Sequence, residues 1–412
     1  MASTNITVEI LKKYAILSIK NNDTEDKTLI SDSIRYVGVD DRTIDLFESQ
    51  YVVENGISYN SYLILDEKVA LMDTVDARGQ EEWEANVARE LNGRTIDYII
   101  VQHMEPDHSG SLQAALEKYP DATIVGNAKT FTYINQFFDV DLTNRKLEVK
   151  EGDTLSLGSH TLKFIMAPMI HWPEVMVTYE SSEKVLFSAD AFGKFGALDC
   201  DEDWACEARR YYFNIVGKFG ASVQMLLKKA AALEIEKILP LHGPILTENL
   251  GYYIGLYDKW SSYTPENKGV FIAYASIHGN TGHAAEILAE KLRALGEEKV
   301  VVSDLSRADI AECVEDAFRY DRMILCSATY DGNAFVPMED FLHHLQIKTY
   351  QNRTVGLVEN GTWAPMAAKA MRGYLESMKN ITILDETVTI KSTLKPSDDA
   401  ALDALAKAIV EA

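Results

Sequence analysis

Four potential metal ligands, His103, Glu105, Asp107 and His108, stand within six residues, directly after the short β-branched run TIDYIIVQ at 95–102. Such a run reads as a buried strand, and side chains just past a strand end can converge on one point without helical spacing. Three further candidates occupy loop positions after later strands: His171 in MIHWPE, Asp190 in FSADAFG and His242 in PLHGP. All seven are imidazole or carboxylate and none is sulfur, a set that suits iron, manganese or zinc. Seven ligands exceed what one ion needs, whereas two ions ~3.5–4 Å apart would use them all. A carboxylate can bridge two ions through its two oxygens. Asp190, alone between two histidines in the sequence, is the natural bridge. A single histidine after a strand is ordinarily a satisfied loop residue; the combination is what points to a dinuclear site.

Around these residues the pattern is of short alternating strands. SIRYVGV and YNSYLILDEKVALMDT read as paired strands, LEVKEGDTLSLGSHTLKFIMAP and VMVTYESSEKVLFSAD as further hairpins, and KILPLHG as a strand ending in a loop. A helix is expected from near Ser111 to Tyr119 and another from Arg209 to Leu233. Residues 1–32 form a polar-interrupted lead with no assigned role. The chain turns Tyr-rich between Gly251 and Lys268, with Thr264–Asn267 as a linker. Beyond it five strands alternate with helices, which predicts a parallel, doubly wound sheet. The expected division is a lead at 1–32, a metal domain at 33–264 and a second domain at 268–412.

The second domain carries its own constellation. The strand GVFIAYA runs into Ser276, Ile277, His278, Gly279, Asn280 and Thr281, and a helix begins directly afterwards. Backbone N–H groups and hydroxyls at a helix start offer themselves to a phosphate. The loop is neither G-x-G-x-x-G nor G-x-x-x-x-G-K-[ST], which disfavours dinucleotides and nucleoside triphosphates; the plain alternative is an ordinary capped helix. Two later loops follow strand ends, where ligands of open α/β sheets sit. One is Ser327, Ala328, Thr329, Tyr330, Asp331, Gly332 and Asn333; the other is Asn360, Gly361, Thr362, Trp363 and Ala364, preceded by Glu359. Tyr330 and Trp363 are aromatics on which a flat ring could stack.

Composition narrows the partners. The net charge of −23, spread along the chain, argues against nucleic acid, whose phosphates need a positive face. No window approaches the roughly 18 apolar residues of a membrane span, and Lys12, Lys13 and Glu9 interrupt the N-terminal apolar run, unlike a secretory peptide. The four cysteines form no C-x-x-C pair, which removes rubredoxin-type iron and zinc-ribbon sites. Few cysteines and no export signal point to the cytoplasm.

The string H-x-E-x-D-H formed by His103, Glu105, Asp107 and His108 resembles the metallo-β-lactamase fold, and within it the flavodiiron branch. Hydrolytic members carry histidine at the second position; carboxylate there adds charge and a hard oxygen donor, favouring iron. The three loops of 268–412 resemble flavodoxin, whose cofactor is FMN. Together they make the chain similar to flavodiiron proteins across 33–412. That resemblance implies an N-terminal αββα metallo-β-lactamase-like sandwich followed by a flavodoxin-like domain. It gives one iron to His103, Glu105 and His171, the other to Asp107, His108 and His242, with Asp190 bridging; in some relatives the histidine matching His108 turns away. YNSYLI at 59–64 and EARRYYFNI at 207–215 resemble segments beside the diiron pocket, and Tyr211 or Tyr212 could donate a proton there or simply pack in the core.

The implied activity is transfer of electrons from reduced FMN to a diiron centre that reduces O2 to water, NO to N2O, or both, a protection against oxygen or nitrosative stress. An external donor such as rubredoxin and a head-to-tail homodimer, or a dimer of such dimers, are implied as well. A dizinc hydrolase with a flavodoxin appendage and an electron carrier with a decayed metal domain are the rival readings; Glu105 speaks against the first, the intact ligand set against the second.

Overall fold

The structure is a computed structural model, and it describes residues 30–412. The expectations for the lead fall almost wholly outside the described residues.

Two sheets face one another in the N-terminal half. The first runs in the order Ile34–Tyr36, Tyr62–Leu65, Val69–Met72, Tyr98–Ile100, Thr123–Gly126 and Lys146–Glu148. Its first three strands pair antiparallel and the rest parallel. The second runs Thr154–Ser156, Thr161–Met166, Met176–Glu180, Val185–Phe187 and Lys237–Leu239. Alternation sends Ile64, Met72, Ile100, Val125, Phe164, Met176 and Phe187 into one apolar layer between the sheets. Helices cover the outer faces, completing the αββα sandwich. One of them, Gln80–Leu91, buries Trp83, Val87 and Leu91 at four-residue intervals, a pattern present in the sequence but passed over there. Ala128–Phe137 was likewise missed; its N-cap Asn127 accepts from the amides of Lys129 and Thr130.

The expected helix over 209–233 is composite. It runs Trp204–Tyr211, then a π-helical turn Tyr212–Val216, a 3-10 turn Gly217–Phe219 and a second α-helix Gly220–Ala230. The Tyr-rich stretch before the linker, given no element from the sequence, is a helix, Leu250–Ser261, that buries Leu256, Tyr257 and Trp260. The sequence pattern failed there because Tyr257 and Trp260 are large aromatics serving a core from another part of the chain: both pack on Tyr212, and Trp260 also on Phe213.

The C-terminal half is a parallel sheet in the order Val300–Asp304, Asn267–Ala275, Tyr320–Tyr330, Arg353–Asn360 and Ile381–Ile390. The order 2-1-3-4-5 is that of flavodoxin-like sheets. The connection between the halves is taut. Glu266 receives both Arg209 Nε, at 2.7 Å, and Nη2, at 3.0 Å, while Arg209 also meets Glu315. Arg210 pairs with Asp309 and Glu312, and Phe213 stacks on Phe318 at 4.2 Å. Among the described residues, one apolar cluster runs from Val37 through to Leu375, crossing from half to half.

At the far end of the sandwich three turns meet on His160. Its Nδ1 lies 2.9 Å from Asp66 and 3.1 Å from Ser159 Oγ, and its Nε2 3.4 Å from Glu183; Ser31 Oγ donates to the same Glu183 oxygen. Burial lowers the His160 pKa, but hydrogen bonds to Asp66 and Glu183 and the charge of Glu180 raise it overall. Raised above its unfolded value near 6.5, this pKa contributes stability that is complete below about pH 6.5 and disappears as pH climbs through the folded value. Thermal melting from pH 5 to 9 is expected to show wild type losing stability relative to His160→Gln across that window; parallel curves would refute it.

Candidate metal centre and flavin cavity

All seven sequence-predicted ligand residues meet at one end of the sandwich. His103 to His108 follow the strand Tyr98–Ile100, with Pro106–Ser109 as one helical turn that brings Asp107 and His108 round beside His103. His171 and Asp190 follow strands Thr161–Met166 and Val185–Phe187, and His242 follows Lys237–Leu239. Ligand atoms of His103, Glu105, His171 and Asp190 lie within 4.8 Å of one another, as do those of Asp107, His108 and His242.

Asp190 stands between the two groups. Its Oδ2 is 3.2 Å from His103 Nε2 and 3.4 Å from His171 Nε2, while Oδ1 is 3.3 Å from His108 Nε2 and 3.9 Å from His242 Nε2. Glu105 Oε2 approaches His171 Nε2 at 2.7 Å and His103 Nε2 at 3.3 Å; Asp107 Oδ2 lies 3.2 Å from His242 Nε2 and 3.3 Å from that of His108. His108 is turned inward, its Nε2 only 3.0 Å from His242 Nε2. Burial pushes the Asp190 carboxyl up, yet His103 and His108 outweigh it and hold it well below the usual carboxylate range.

This packing is costly without cations. All four carboxylate oxygens of Asp107 and Asp190 are buried with no hydrogen-bond partner, and leaving such a group unpaired costs on the order of 1–3 kcal/mol, more when it is charged. Facing imidazole nitrogens and bare carboxylate oxygens aimed at common points are what a pair of cations would satisfy. The residues fit a dinuclear metal site.

The tyrosine pair divides. Tyr211, the last residue of Trp204–Tyr211, places its ring 5.5 Å from that of His242. Burial, then the charges of Asp190, Asp107 and Glu105, push its pKa well above the ordinary value, so it keeps its proton. Tyr212 opens the π-helical turn and lies 5.1 Å from Tyr257 and 5.4 Å from Trp260, away from the cluster. For Tyr212 the core-packing alternative is the one observed.

The second constellation lines a cavity of about 540 Å³ at the C-terminal ends of the parallel strands, a size ordinary for cofactor sites. Ser276, Ile277, His278, Asn280 and Thr281 form one wall; Ala328, Thr329, Tyr330, Asp331 and Gly332 a second; Asn360, Gly361, Thr362, Trp363 and Ala364 a third. Three expected residues are not in its lining. Gly279 turns the chain at φ +86° into the helix Asn280–Ala294, Ser327 is buried bonding Ala328 O and Phe335 N, and Asn333 pairs back on Tyr330. Met366 and Ser392 line it and were missed; Ser392 follows the last strand and pairs with Asn360 through N and O. Ser276 Oγ is buried without a partner, and Trp363 is 91% exposed. A donor held bare beside a helix start and a free aromatic at the mouth fit a phosphorylated flat-ring cofactor.

A family model described as the ODP family beta lactamase matches residues 57–243. An uncharacterized protein of Methanocaldococcus jannaschii is 30% identical over 369 residues, 88% of this chain and 92% of that one. The anaerobic nitric oxide reductase flavorubredoxin of Salmonella arizonae is 29% identical, over 90% of this chain and 79% of its own length. Among solved structures, rubredoxin oxygen:oxidoreductase from Desulfovibrio gigas superposes with a TM-score of 0.86 at 27% identity, covering 93% of this chain and 97% of that one. The flavodiiron protein of Giardia intestinalis also gives 0.86, at 26% identity and the same coverage. The chain belongs to the flavodiiron protein family.

Within this flavodiiron chain the supports of the cluster are what sequence reading missed or left vague. The YNSYLI string holds the His242 loop: Asn60 Nδ2 donates to Pro240 O and Gly243 O, and Tyr62 OH to Pro240 O. His242 Nδ1 donates to Ser58 O at 2.7 Å, fixing Nε2 toward the cluster. Asp73 accepts from Gln102 N and Nε2 and tethers the ligand loop. Glu48, at the tip of the hairpin Leu46–Phe47/Tyr51–Val52, is exposed as a residue, but its carboxyl is pushed up to about 7 by burial and by the charge of Glu105. Glu174 buttresses His103, with its Oε1 2.8 Å from Nδ1. Apart from the YNSYLI string, none of these has a motif of its own; their partners come from distant parts of the chain.

Proposed function

We propose that this chain is a flavodiiron oxidoreductase that reduces O2 to water, NO to N2O, or both. The observation that carries the reading is Asp190, whose two oxygens face two separate histidine–carboxylate groups and bond to nothing else. In it, His103, Glu105 and His171 would hold one iron, Asp107, His108 and His242 the other, Asp190 would bridge them, and the cavity of the C-terminal half would hold FMN. Two irons and one flavin supply electron storage for four-electron reduction of oxygen. The chain's own residues do the remaining work. Glu105, where hydrolytic relatives of the fold carry histidine, adds an anionic oxygen donor that favours iron. Tyr211, protonated and beside His242, offers a hydroxyl hydrogen bond at the wall of the cluster. Phe47, Phe195 and Tyr59 form the rest of that wall and keep it apolar.

The division at 264–268 and a head-to-tail dimer belong to the same proposal. Lys348, reaching Asn214 O of the metal domain at 2.7 Å, precedes the strand Arg353–Asn360, whereas the flavin cavity lies past its other end. Eight residues of strand put roughly 25 Å between those ends. Electrons need short separations, and the cavity of a second copy set against the metal cluster of the first supplies one. Electrons would arrive from an external carrier of the rubredoxin type, in the cytoplasm. Among the described residues no helix is long and apolar enough to cross a membrane.

The test is metal and flavin analysis, then anaerobic reduction and separate exposure to each gas. Two irons and one FMN per chain, with flavin reoxidation by either gas, are expected; zinc in place of iron and a flavin that neither gas discharges would end the reading. Ser276→Ala is expected to weaken flavin affinity by roughly 10- to 150-fold, one charge-assisted hydrogen bond being worth about 1.5–3 kcal/mol, with iron content unchanged. Equilibrium dialysis of FMN would check this.

A further inference from the structure

The two candidate iron positions are matched in formal charge. Each has two imidazoles and one carboxylate of its own and shares one oxygen of Asp190. What differs is the far side of the imidazoles. His242 donates its Nδ1 proton to a neutral carbonyl, that of Ser58. His108 Nδ1 is buried with no partner. His103 meets Glu174, and among the described residues it is the cluster imidazole whose Nδ1 faces a carboxylate.

Glu174 is built for that contact. It is 0% exposed, and its Oε1 receives both His103 Nδ1 at 2.8 Å and Met104 N at 2.9 Å. Its Oε2 is buried and receives nothing. Burying a carboxylate with one oxygen bare is expensive, so a residue needed only to anchor the loop would be better as a neutral amide. The negative charge itself has a use only if His103 bears compensating positive charge on its other nitrogen. A carboxylate behind a ligating histidine fixes the tautomer and raises the basicity of the ligating nitrogen. The Nε2 of His103 is thereby a stronger donor than those of His108 and His242.

We propose that Glu174 is a positioning residue that makes the pair electronically unequal, so that the ion on the His103, Glu105 and His171 side holds its ferric state the more firmly. The first electron added to the oxidised pair then goes to the His108 and His242 side, and the second, converting the remaining ferric ion to ferrous, to the His103 side. This rests on the reading of the cluster as a diiron centre.

Glu174→Gln tests it, because the amide oxygen can still accept from both Nδ1 and Met104 N while the charge is gone. In the full-length protein, titrated anaerobically with dithionite and followed by EPR, the variant is expected to retain two irons and an unmoved flavin potential. Its second electron should enter more easily, by about tenfold in the ferrous:ferric ratio at fixed potential, equivalent to 59 mV for one electron. The range over which the half-reduced pair persists should narrow accordingly. Glu174→Asp, which restores the charge, is expected to return the second potential toward wild type. Unmoved potentials at full iron content, or the same shift in Glu174→Asp, would overturn the proposal. Should Glu174→Gln lose metal, loss of one iron per chain supports it and loss of both overturns it. A wild-type protein without two irons would instead defeat the diiron reading on which it stands.

Discussion

Asp190→Ala is expected to purify with its flavin bound and without either iron. Among the described residues the carboxylate is the one placed within 4 Å of imidazoles from both halves of the cluster, through Oδ2 on one side and Oδ1 on the other. Removing it takes a donor from each ion and the negative charge that lets two cations sit close together. The flavin cavity draws none of its lining from the N-terminal half, so flavin content should not follow. Iron and FMN per chain, measured on the same sample, check both parts. Iron equal to that of wild type would count heavily against the bridge.

Arg209→Met is expected to lower the unfolding free energy by about 3–5 kcal/mol, the usual cost of breaking a buried ion pair by removing one partner. Arg209 is 2% exposed and holds Glu266 and Glu315 together across the connection between the halves. Burial already pushes Glu315 up to about 7, and Arg209 is the chief influence lowering it. Without the arginine the carboxyl resists ionisation further. A carboxyl with a raised folded pKa contributes stability below its unfolded value, near 4, and loses it as pH rises through the folded value. The deficit of the variant should therefore be small in acid and largest above pH 7. Denaturant unfolding at pH 5 and pH 8 measures this, and adding Glu315→Gln should restore part of the loss at pH 8. A deficit independent of pH would mean that lost packing dominates.

The ligand residues were legible because chemistry marks them: four imidazoles and three carboxylates, each just after a strand. The flavin loops were legible for a similar reason, being short polar segments between apolar strands and helices; the five strands and five helices of the C-terminal half followed the alternation closely enough to give the 2-1-3-4-5 sheet its components. Where the reading failed, local pattern and tertiary role disagreed. The helix Leu250–Ser261 was not recognised because Tyr257 and Trp260 serve the core around Tyr212. Tyr211 and Tyr212 could not be separated in one dimension, since the π-helical turn after Tyr211 sets which ring faces His242. Gly279, Ser327 and Asn333 sit in the right loops, yet shape the turns rather than the cavity wall.

By itself the sequence determined which side chains could bind metal, which loops could cradle a phosphate, and that two α/β halves follow one another. These are properties of residue type and short-range order, and they survive without knowing the fold. Only the tertiary structure decided which histidines each oxygen of Asp190 faces, that Glu174 stands behind His103, and that Arg209 locks the halves together. Each of those depends on bringing residues tens of positions apart to within 4 Å, and no local preference of the chain encodes a distance.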